Sequence, residues 1–255
     1  MLIYMCISAS ASIKAFIVNF LSAISLVYFG NENLKSVNLI IALFSIYTSF
    51  MQLVDLGIWL DLDCKKGLNK TASLIGPTLT YLQPIVIFVI AYLVLNYTKA
   101  GIKKRKSQIE PFEKQSPLFE MFSISSKKLN TGKIINIIAA VIIVFLLVRY
   151  YTSDEDISCS KLSSNNNISW GWLKTNKMYY IPFCIIYTIV TFSNILLIDP
   201  LSNFIKLVLV LYLGLFTVAH FIKKSHRGEL WCFTSNILPL LLLVIQKLFK
   251  NQFIR

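Results

Sequence analysis

Seven stretches of about 20 mostly apolar residues dominate this sequence of 255 residues. About 20 residues is the length that an α-helix needs to cross a hydrocarbon layer about 30 Å thick, because the helix rises 1.5 Å per residue. The stretches lack the alternation of a membrane barrel, and isolated strands cannot satisfy their backbone groups in lipid. The sequence therefore predicts an all-α, polytopic membrane protein with about seven transmembrane helices in one bundle. The predicted spans are residues 8–28, 37–60, 72–96, 134–151, 179–198, 204–222 and 230–248.

The composition excludes most soluble classes of protein. Hydrophobic residues make up 56% of the chain and charged residues 15%, and the mean hydropathy is +0.65. A soluble domain carries about 25% charged residues and about 45–50% apolar ones. Too little polar sequence remains here to cover a soluble surface, so an ordinary cytosolic enzyme, a disordered tail and a disulfide scaffold are all excluded.

The charged loops predict an orientation in the membrane. Residues 97–133 form a basic loop that contains the cluster Lys103–Lys106, and such loops stay on the cytoplasmic side. With seven spans, the N-terminus then lies outside, the C-terminus is cytoplasmic, and residues 152–178 form an outer loop. The acidic run Asp154–Asp156 in that loop agrees with this orientation, whereas the basic residues at 223, 224 and 227 do not. The net charge of +13 is explained by basic loops, so no nucleic-acid partner is expected.

Cysteines and sequons fall in the predicted outer loops. Cys64 and Cys159 lie there together, where an oxidising compartment would allow a disulfide, and free thiols are the alternative. Asn69 and Asn167 each begin an acceptor sequon for glycosylation, and chance occurrence is the alternative. The five cysteines include no Cys-x-x-Cys pair and there are only two histidines, so neither a metal site nor a cofactor is expected.

Asp55 is the only acidic residue well inside a predicted span. An ionisable group near the centre of a membrane helix costs about 2.5–3.5 kcal/mol on insertion scales, so it is a functional candidate. Thr48, Gln52, Asp55 and Trp59 share one helical stripe, which we expect to face the bundle. One interpretation is a carboxylate that binds a proton, a cation or a polar group of a ligand. The alternative is a hydrogen-bonding clamp between helices, with Trp59 as an interfacial anchor.

In the seven-helix topology, further polar residues lie at the same depth in the membrane as Asp55. Small residues on one side of the first span, from Ser8 to Ser22, indicate close helix packing. Trp170 and Trp172 in the outer loop are placed to cover the outer end of the bundle. We therefore predict a polar cavity open to the outer leaflet, with an ordinary aromatic belt as the alternative. The residues at the outer helix ends are Cys6, Ser8, Asp55, Trp59, His220, Trp231 and Cys232, and Asn236 shares a face with Cys232.

Several of these residues carry a resemblance to a known family. Residues 5–12, Met-Cys-Ile-Ser-Ala-Ser-Ala-Ser, resemble the Met-Cys-x-Ser-Ala-x-Ala-Ser opening of an uncharacterised family of roughly seven-helix membrane proteins from bacteria and giant DNA viruses. The second helix of that family ends in Gln-x-x-Glu-x-x-x-Trp, which is similar to Gln52, Asp55 and Trp59 with Asp in place of Glu. The segment Gly-Glu-Leu-Trp-Cys-Phe at 228–233 also looks like a family segment.

The resemblance covers most of the chain but has one departure. Gln83-Pro84 is similar to a further family segment, whereas a family His-hydrophobic-x-aromatic motif is replaced by Asn-Ile-Ser-Trp at 167–170. The resemblance therefore implies no role here that needs the histidine of that family motif. The resemblance implies a seven-helix fold and an initiator at Met5 rather than Met1, but no activity.

These observations favour an integral membrane protein, in contact with lipid, that holds a small polar or lipid ligand near Asp55. The candidate binding residues are Gln52, Asp55, Trp59, Trp170, Trp231, Cys232 and Asn236. A second interpretation is an intramembrane lipid hydrolase with Asp55, Ser8, Cys6 and His220 as its catalytic candidates. A third is a transporter of small solutes or ions, and a fourth is a non-catalytic receptor-like or scaffolding protein. We favour a protein without enzymatic activity.

Overall fold

The computed structural model describes residues 8–106, 126–152, 159–162, 168–170, 190 and 227–248. Side chains are described within these ranges except at 33, 95–106, 126–133, 150, 169 and 227–236. The described part of the chain is mostly helical, with one short antiparallel strand pair. Its elements are α1 (Ala9–Phe29), a 3-10 turn (Glu32–Leu34), α2 (Lys35–Trp59), α3 (Leu68–Lys106), α4 (Ser126–Tyr151), β1 (Lys161–Leu162), β2 (Ile168–Ser169) and α5 (Arg227–Leu248).

Three of these helices are long and apolar enough to cross a membrane, which indicates a membrane location. They are Ala9–Phe29, Lys35–Trp59 and Leu68–Val94. Two shorter apolar helical stretches, Ile134–Arg149 and Ile237–Leu248, lie in α4 and α5. The predicted spans at 179–198 and 204–222 lie outside the described residues, apart from Val190.

The bounds of two helices differ by four residues or more from those expected from hydropathy. Helix α3 begins at Leu68 rather than at residue 72, and it continues to Lys106 rather than ending at residue 96. Helix α4 begins at Ser126 rather than at residue 134. Hydropathy locates the apolar part of a helix, whereas Lys and Arg are good helix formers and allow the helix to continue beyond it. The basic segment predicted as a loop is therefore helical at both of its ends, and residues 107–125 lie outside the described residues.

Helix α2 lies at the centre of the described helices and packs against α1, α3 and α5. Helices α1 and α2 run antiparallel because only residues 30–34 connect them. Gly30 makes this tight connection possible. A Cβ atom at Gly30 would collide with the carbonyl oxygen of Leu26 and with the side-chain amide of Asn38.

A pair of side-chain amides fastens α5 to this connection. Gln246 Nε2 donates to Asn38 Oδ1 at 2.7 Å, and Asn38 Nδ2 donates back to Gln246 Oε1 at 3.2 Å. The backbone N–H of Asn31 donates to the same Gln246 oxygen at 2.8 Å. An apolar cluster that includes Leu26, Ile40 and Leu242 surrounds the end of the bundle where this amide pair lies. We call this end of the bundle the amide end.

The opposite end of the bundle carries a disulfide, and we call it the disulfide end. It contains the start of α1, the end of α2 and the start of α3. The hydroxyl of Tyr151 donates to the carbonyl of Leu74 at 2.5 Å, which brings the end of α4 to the same place. Because Gln246 lies at the amide end, the start of α5 at Arg227 is directed toward the disulfide end. An apolar cluster here joins Met51 and Ile58 with Ile168 and Trp170, which come from beyond α4.

Candidate functional site

The facing sides of α1 and α2 are polar and buried. On α1 the exposed fraction of Ser12 and of Asn19 is 0%, and on α2 that of Gln52 is 1% and that of Asp55 is 0%. Thr48 is also buried and Trp59 is half-buried. The prediction that this α2 stripe faces the bundle is therefore confirmed for its first three members and in part for Trp59.

One hydrogen bond sets the register between these two helices. Asn19 Nδ2 donates to the backbone carbonyl of Ser45 at 3.0 Å. Ser12 lies two turns from Asn19 toward the disulfide end, and Gln52 lies two turns from Ser45 in the same direction, each about 10 Å by helical rise. In an antiparallel pair, Ser12 and Gln52 are therefore at the same level, and Asp55 is one further turn toward the disulfide end.

Several polar atoms on these faces are available for hydrogen bonding. Among the described residues, Ser12 Oγ, Asn19 Oδ1, Gln52 Oε1 and Trp59 Nε1 are buried and have no hydrogen-bond partner. Buried polar atoms in folded proteins are nearly always hydrogen-bonded, so each such atom needs a reason. Three of these four atoms are oxygens that accept hydrogen bonds, and Ser12 and Gln52 place two of them at one level beside Asp55.

The carboxylate of Asp55 binds a tryptophan from beyond α4. Trp170 Nε1 donates to Asp55 Oδ1 at 2.8 Å, and the exposed fraction of Trp170 is 4%. The indole therefore fixes one carboxylate oxygen and covers the disulfide end of the polar faces.

Residue Ser160 is fastened to the start of α3 by a compact polar network. Asn69 Nδ2 donates to the carbonyl of Ser160 at 2.9 Å, and the N–H of Ser160 donates back to Asn69 Oδ1 at 3.0 Å. The hydroxyl of Ser73 lies 2.9 Å from that of Ser160 and donates to Asn69 Oδ1 at 3.1 Å. All three side chains are fully buried.

A disulfide supplies a second attachment next to this network. Cys64, in the turn between α2 and α3, is bonded to Cys159, and their Cα atoms are 6.3 Å apart. From Ser160 the chain enters β1, which pairs with β2 so that Lys161 lies opposite Ser169. Trp170 follows β2 directly. We call residues 159–162 and 168–170 the tethered segment.

Asp61 holds the turn that carries Cys64. Its carboxylate accepts from the N–H of Lys66 at 2.9 Å and from the N–H of Asn69, in the first turn of α3, at 3.2 Å. These bonds, led by that of Lys66, hold the pKa of the Asp61 carboxyl below its usual value, although burial acts in the opposite direction. An ionised carboxylate at the start of α3 also interacts favourably with the helix dipole.

The structure assigns Ser8 and Asn69 roles other than those expected. Ser8 was a catalytic candidate, but its hydroxyl accepts from the N–H of Ala11 at 3.1 Å and caps α1. Asn69 is a possible glycan acceptor by its sequon, with chance occurrence as the alternative, and the structure buries it fully with its side-chain nitrogen bound to Ser160. A glycan on that nitrogen is incompatible with this packing, which favours the chance-occurrence alternative.

The remaining candidates lie wholly or partly outside the described residues. Helix α5 contains Trp231, Cys232 and Asn236, but their side chains are not among those described. Cys6, Asn167, Trp172 and His220 lie outside the described residues altogether.

Sequence reasoning missed the residues that hold the site together. Asn69 and Ser73 are one helical turn apart, a spacing that places two polar side chains on one face of α3. Asn38 and Gln246 are polar residues inside otherwise apolar spans, a signal of the same kind as that of Asp55. In none of these cases does the sequence indicate which distant residue is the partner.

Comparisons with protein-family models, with curated proteins and with solved structures find no match. Among the described residues, no group of three or more His, Cys, Asp or Glu side chains is placed to hold a metal ion. The chemistry of the site therefore has to be inferred from its own residues.

Proposed function

We propose that this protein is an integral membrane protein that binds a small polar ligand at Asp55, in the outer half of a bundle of about seven helices. The observation that carries the proposal is that three buried polar groups lie within about one helical turn of one another on the facing sides of α1 and α2. These are the Asp55 carboxylate, Gln52 Oε1 and Ser12 Oγ, and the last two have no hydrogen-bond partner among the described residues.

The chemistry of these groups favours a ligand that donates hydrogen bonds and carries positive charge. A carboxylate and an amide oxygen only accept, and a serine hydroxyl is able to accept as well. A primary ammonium group has three N–H donors, which match three such acceptors. We therefore propose an ammonium-bearing ligand, either a lipid headgroup such as ethanolamine or a free amine.

Two features support an outer location for the site. The disulfide between Cys64 and Cys159 is typical of an oxidising compartment, and it lies at the same end of the bundle as Asp55. The basic cluster Lys103–Lys106 is at the far end of α3, which suits the cytoplasmic side. This orientation puts the N-terminus outside and the C-terminus inside.

Ligand-dependent stability of the purified full-length protein tests the proposal. Ethanolamine is compared with ethylene glycol, a neutral molecule of similar size, in nanodiscs of phosphatidylcholine. The quaternary ammonium of phosphatidylcholine has no N–H donor, so this lipid competes poorly for the acceptors. At ten times its Kd a ligand raises the free energy of unfolding by about 1.4 kcal/mol. A lipid ligand would instead show as greater stability in phosphatidylethanolamine nanodiscs, without added amine.

Matched variants connect the effect to the site. Asp55→Asn removes the anionic acceptor with little change in shape, and we expect it to abolish stabilisation by the amine or by the lipid. Thr48→Val is the control, because Thr48 lies on the same stripe but its hydroxyl binds the carbonyl of Ser45 in its own helix. Equal stabilisation of the wild type and Asp55→Asn, or none in the wild type in any of these conditions, would contradict the proposal.

A second candidate function is transport of the same class of solute. Buried polar side chains continue along α2 beyond the site, from Asp55 through Ser49 and Ser45 to Asn38 near the far end. Such a track would let a polar solute cross between α1 and α2. Uptake of radiolabelled methylammonium into proteoliposomes that is lost in Asp55→Asn but kept in Thr48→Val would support transport, and equal uptake by empty liposomes would exclude it.

A further inference from the structure

The tethered segment connects the start of α3 to Asp55 through described contacts alone. Asn69 holds Ser160, the strand pair joins the Ser160 side to Ser169, and Trp170 reaches the carboxylate of Asp55. No residue of this path other than Asp55 belongs to α2. The position of Trp170 is therefore set by attachments outside the binding site, in addition to the apolar cluster that it shares with Met51 and Ile58 of α2.

Asn69 is the strongest of these attachments that is not covalent. Its side chain satisfies both backbone polar groups of Ser160, as the backbone of a neighbouring strand would. Its own backbone N–H binds Asp61, so its position in the first turn of α3 is also fixed. The disulfide at Cys159 restrains the neighbouring residue, and the hydroxyl of Ser73 accepts from the N–H of Ser160 at 3.2 Å, whereas Asn69 binds both backbone polar groups of Ser160.

We propose that the tethered segment is a cover that closes the Asp55 site, and that Asn69 is the positioning residue that holds it closed. This inference rests on the proposed function, because the site that the segment covers is the proposed ligand site. Loss of the Asn69 side chain removes two of the bonds that hold Ser160 and so loosens Trp170, which gives reagents more access to the Asp55 carboxylate. The α2–α3 turn survives, because Asp61 binds backbone N–H groups that the substitution does not remove.

Chemical labelling of carboxyl groups tests the proposal in the full-length protein. A hydrophobic carbodiimide is added to nanodiscs without any ligand, and the modified residues are identified by mass spectrometry. Exposed Glu32, at the amide end, corrects for reagent activity. Buried Asp61 reports on the turn, so a merely structural role of Asn69 would raise labelling at Asp61 as well as at Asp55.

The expected result is local to Asp55. Two net hydrogen bonds to Ser160 are lost in Asn69→Ala, which corresponds to at most about thirtyfold faster labelling of Asp55 with no change at Asp61. Thr71→Ala is the matched control, because it destroys the same sequon while removing only a hydroxyl that binds the carbonyl of Gly67 in its own turn. It is expected to label as the wild type does. Wild-type labelling of Asp55 in folded Asn69→Ala, or equal increases at Asp55 and Asp61, would overturn the proposal.

Where Asn69→Ala gives no folded protein, a milder variant tests the same proposal. Ser73→Ala removes one partner of Ser160 and leaves the two Asn69 bonds, so a smaller increase at Asp55 is expected and wild-type labelling overturns the proposal. Failure of the proposed function is recognised separately. Labelling measures access without ligand, whereas the proposed function fails when amines and lipids give no Asp55-dependent stabilisation.

Discussion

The hydrogen bond between Trp170 and Asp55 should show strong thermodynamic coupling. Removing one member of a buried hydrogen-bonded pair costs about 1–3 kcal/mol, because the second member is left without it, whereas replacing both members is nearly neutral. Trp170→Phe removes the N–H donor and keeps an aromatic ring. Asp55→Leu removes the carboxylate at similar size. We expect each single variant to lose about 2 kcal/mol of unfolding free energy, and the double variant to lose no more than the larger single loss.

The coupling energy is the part of the two single losses that is not additive, and it isolates the Trp170–Asp55 hydrogen bond from the other effects of each substitution. Asp55 and Trp170 make additional interactions, and the cycle cancels those that do not involve both residues. The bond length of 2.8 Å and the burial of both side chains give an expected coupling of about 2 kcal/mol. Unfolding free energies come from titration with SDS in mixed micelles, followed by near-ultraviolet circular dichroism.

A control cycle pairs Trp170→Phe with Gln246→Leu. Gln246 binds Asn38 at the amide end, far from Trp170, so these two losses should add within about 0.5 kcal/mol. The structural reasoning would be refuted if Trp170→Phe and Asp55→Leu were additive to the same degree as this control.

Three further predictions concern the scaffold of the site. Gln246→Leu leaves the buried Asn38 amide without its side-chain hydrogen-bonding partner, so we expect the unfolding free energy to fall by about 2 kcal/mol in the same SDS titration. A decrease below about 0.5 kcal/mol would contradict the amide pair. Gly57→Leu should destabilise the protein by about 1–3 kcal/mol, since a Cβ at Gly57 already lies 3.2 Å from that of Ala72, whereas unchanged stability would show that α2 and α3 pack less closely. Because the pKa of Asp61 is lowered in the folded state, its carboxylate stabilises the fold at pH values above the ordinary pKa of 3.8, and this contribution is lost as the pH falls through the folded-state pKa. Asp61→Asn should therefore flatten the dependence of the unfolding free energy on pH below pH 3.8. A profile parallel to that of the wild type would contradict this prediction.

Periodicity predicted which faces of the helices are buried. Gln52 and Asp55 lie on a stripe that the 3.6-residue repeat places on one side of α2, and the structure buries both. The same rule holds for Ser12 and Asn19 on α1. Such predictions succeed because the apolar environment makes it costly for a polar side chain to face lipid.

The topology of the predicted spans groups Cys64 with Cys159 and puts Trp170 at the end of the bundle where Asp55 lies, but it does not give the bond between Trp170 and Asp55, which are 115 residues apart. Gln246 is 208 residues from Asn38, and no pattern in the sequence relates these two residues. The sequon at Asn69 suggested an exposed position because the motif takes no account of tertiary burial. Its true role depends on Ser160, which the disulfide and the strand pair bring to α3 from 91 residues away.

An experimental density map of the protein in lipid nanodiscs shows whether a ligand binds beside Asp55 beneath Trp170. We expect Trp170 on Asp55 and non-protein density within hydrogen-bonding distance of Gln52 Oε1 and Ser12 Oγ, and this density should weaken in Asp55→Asn. Side chains that bind one another directly across α1 and α2 at this level, with Trp170 remote from Asp55, would contradict this expectation.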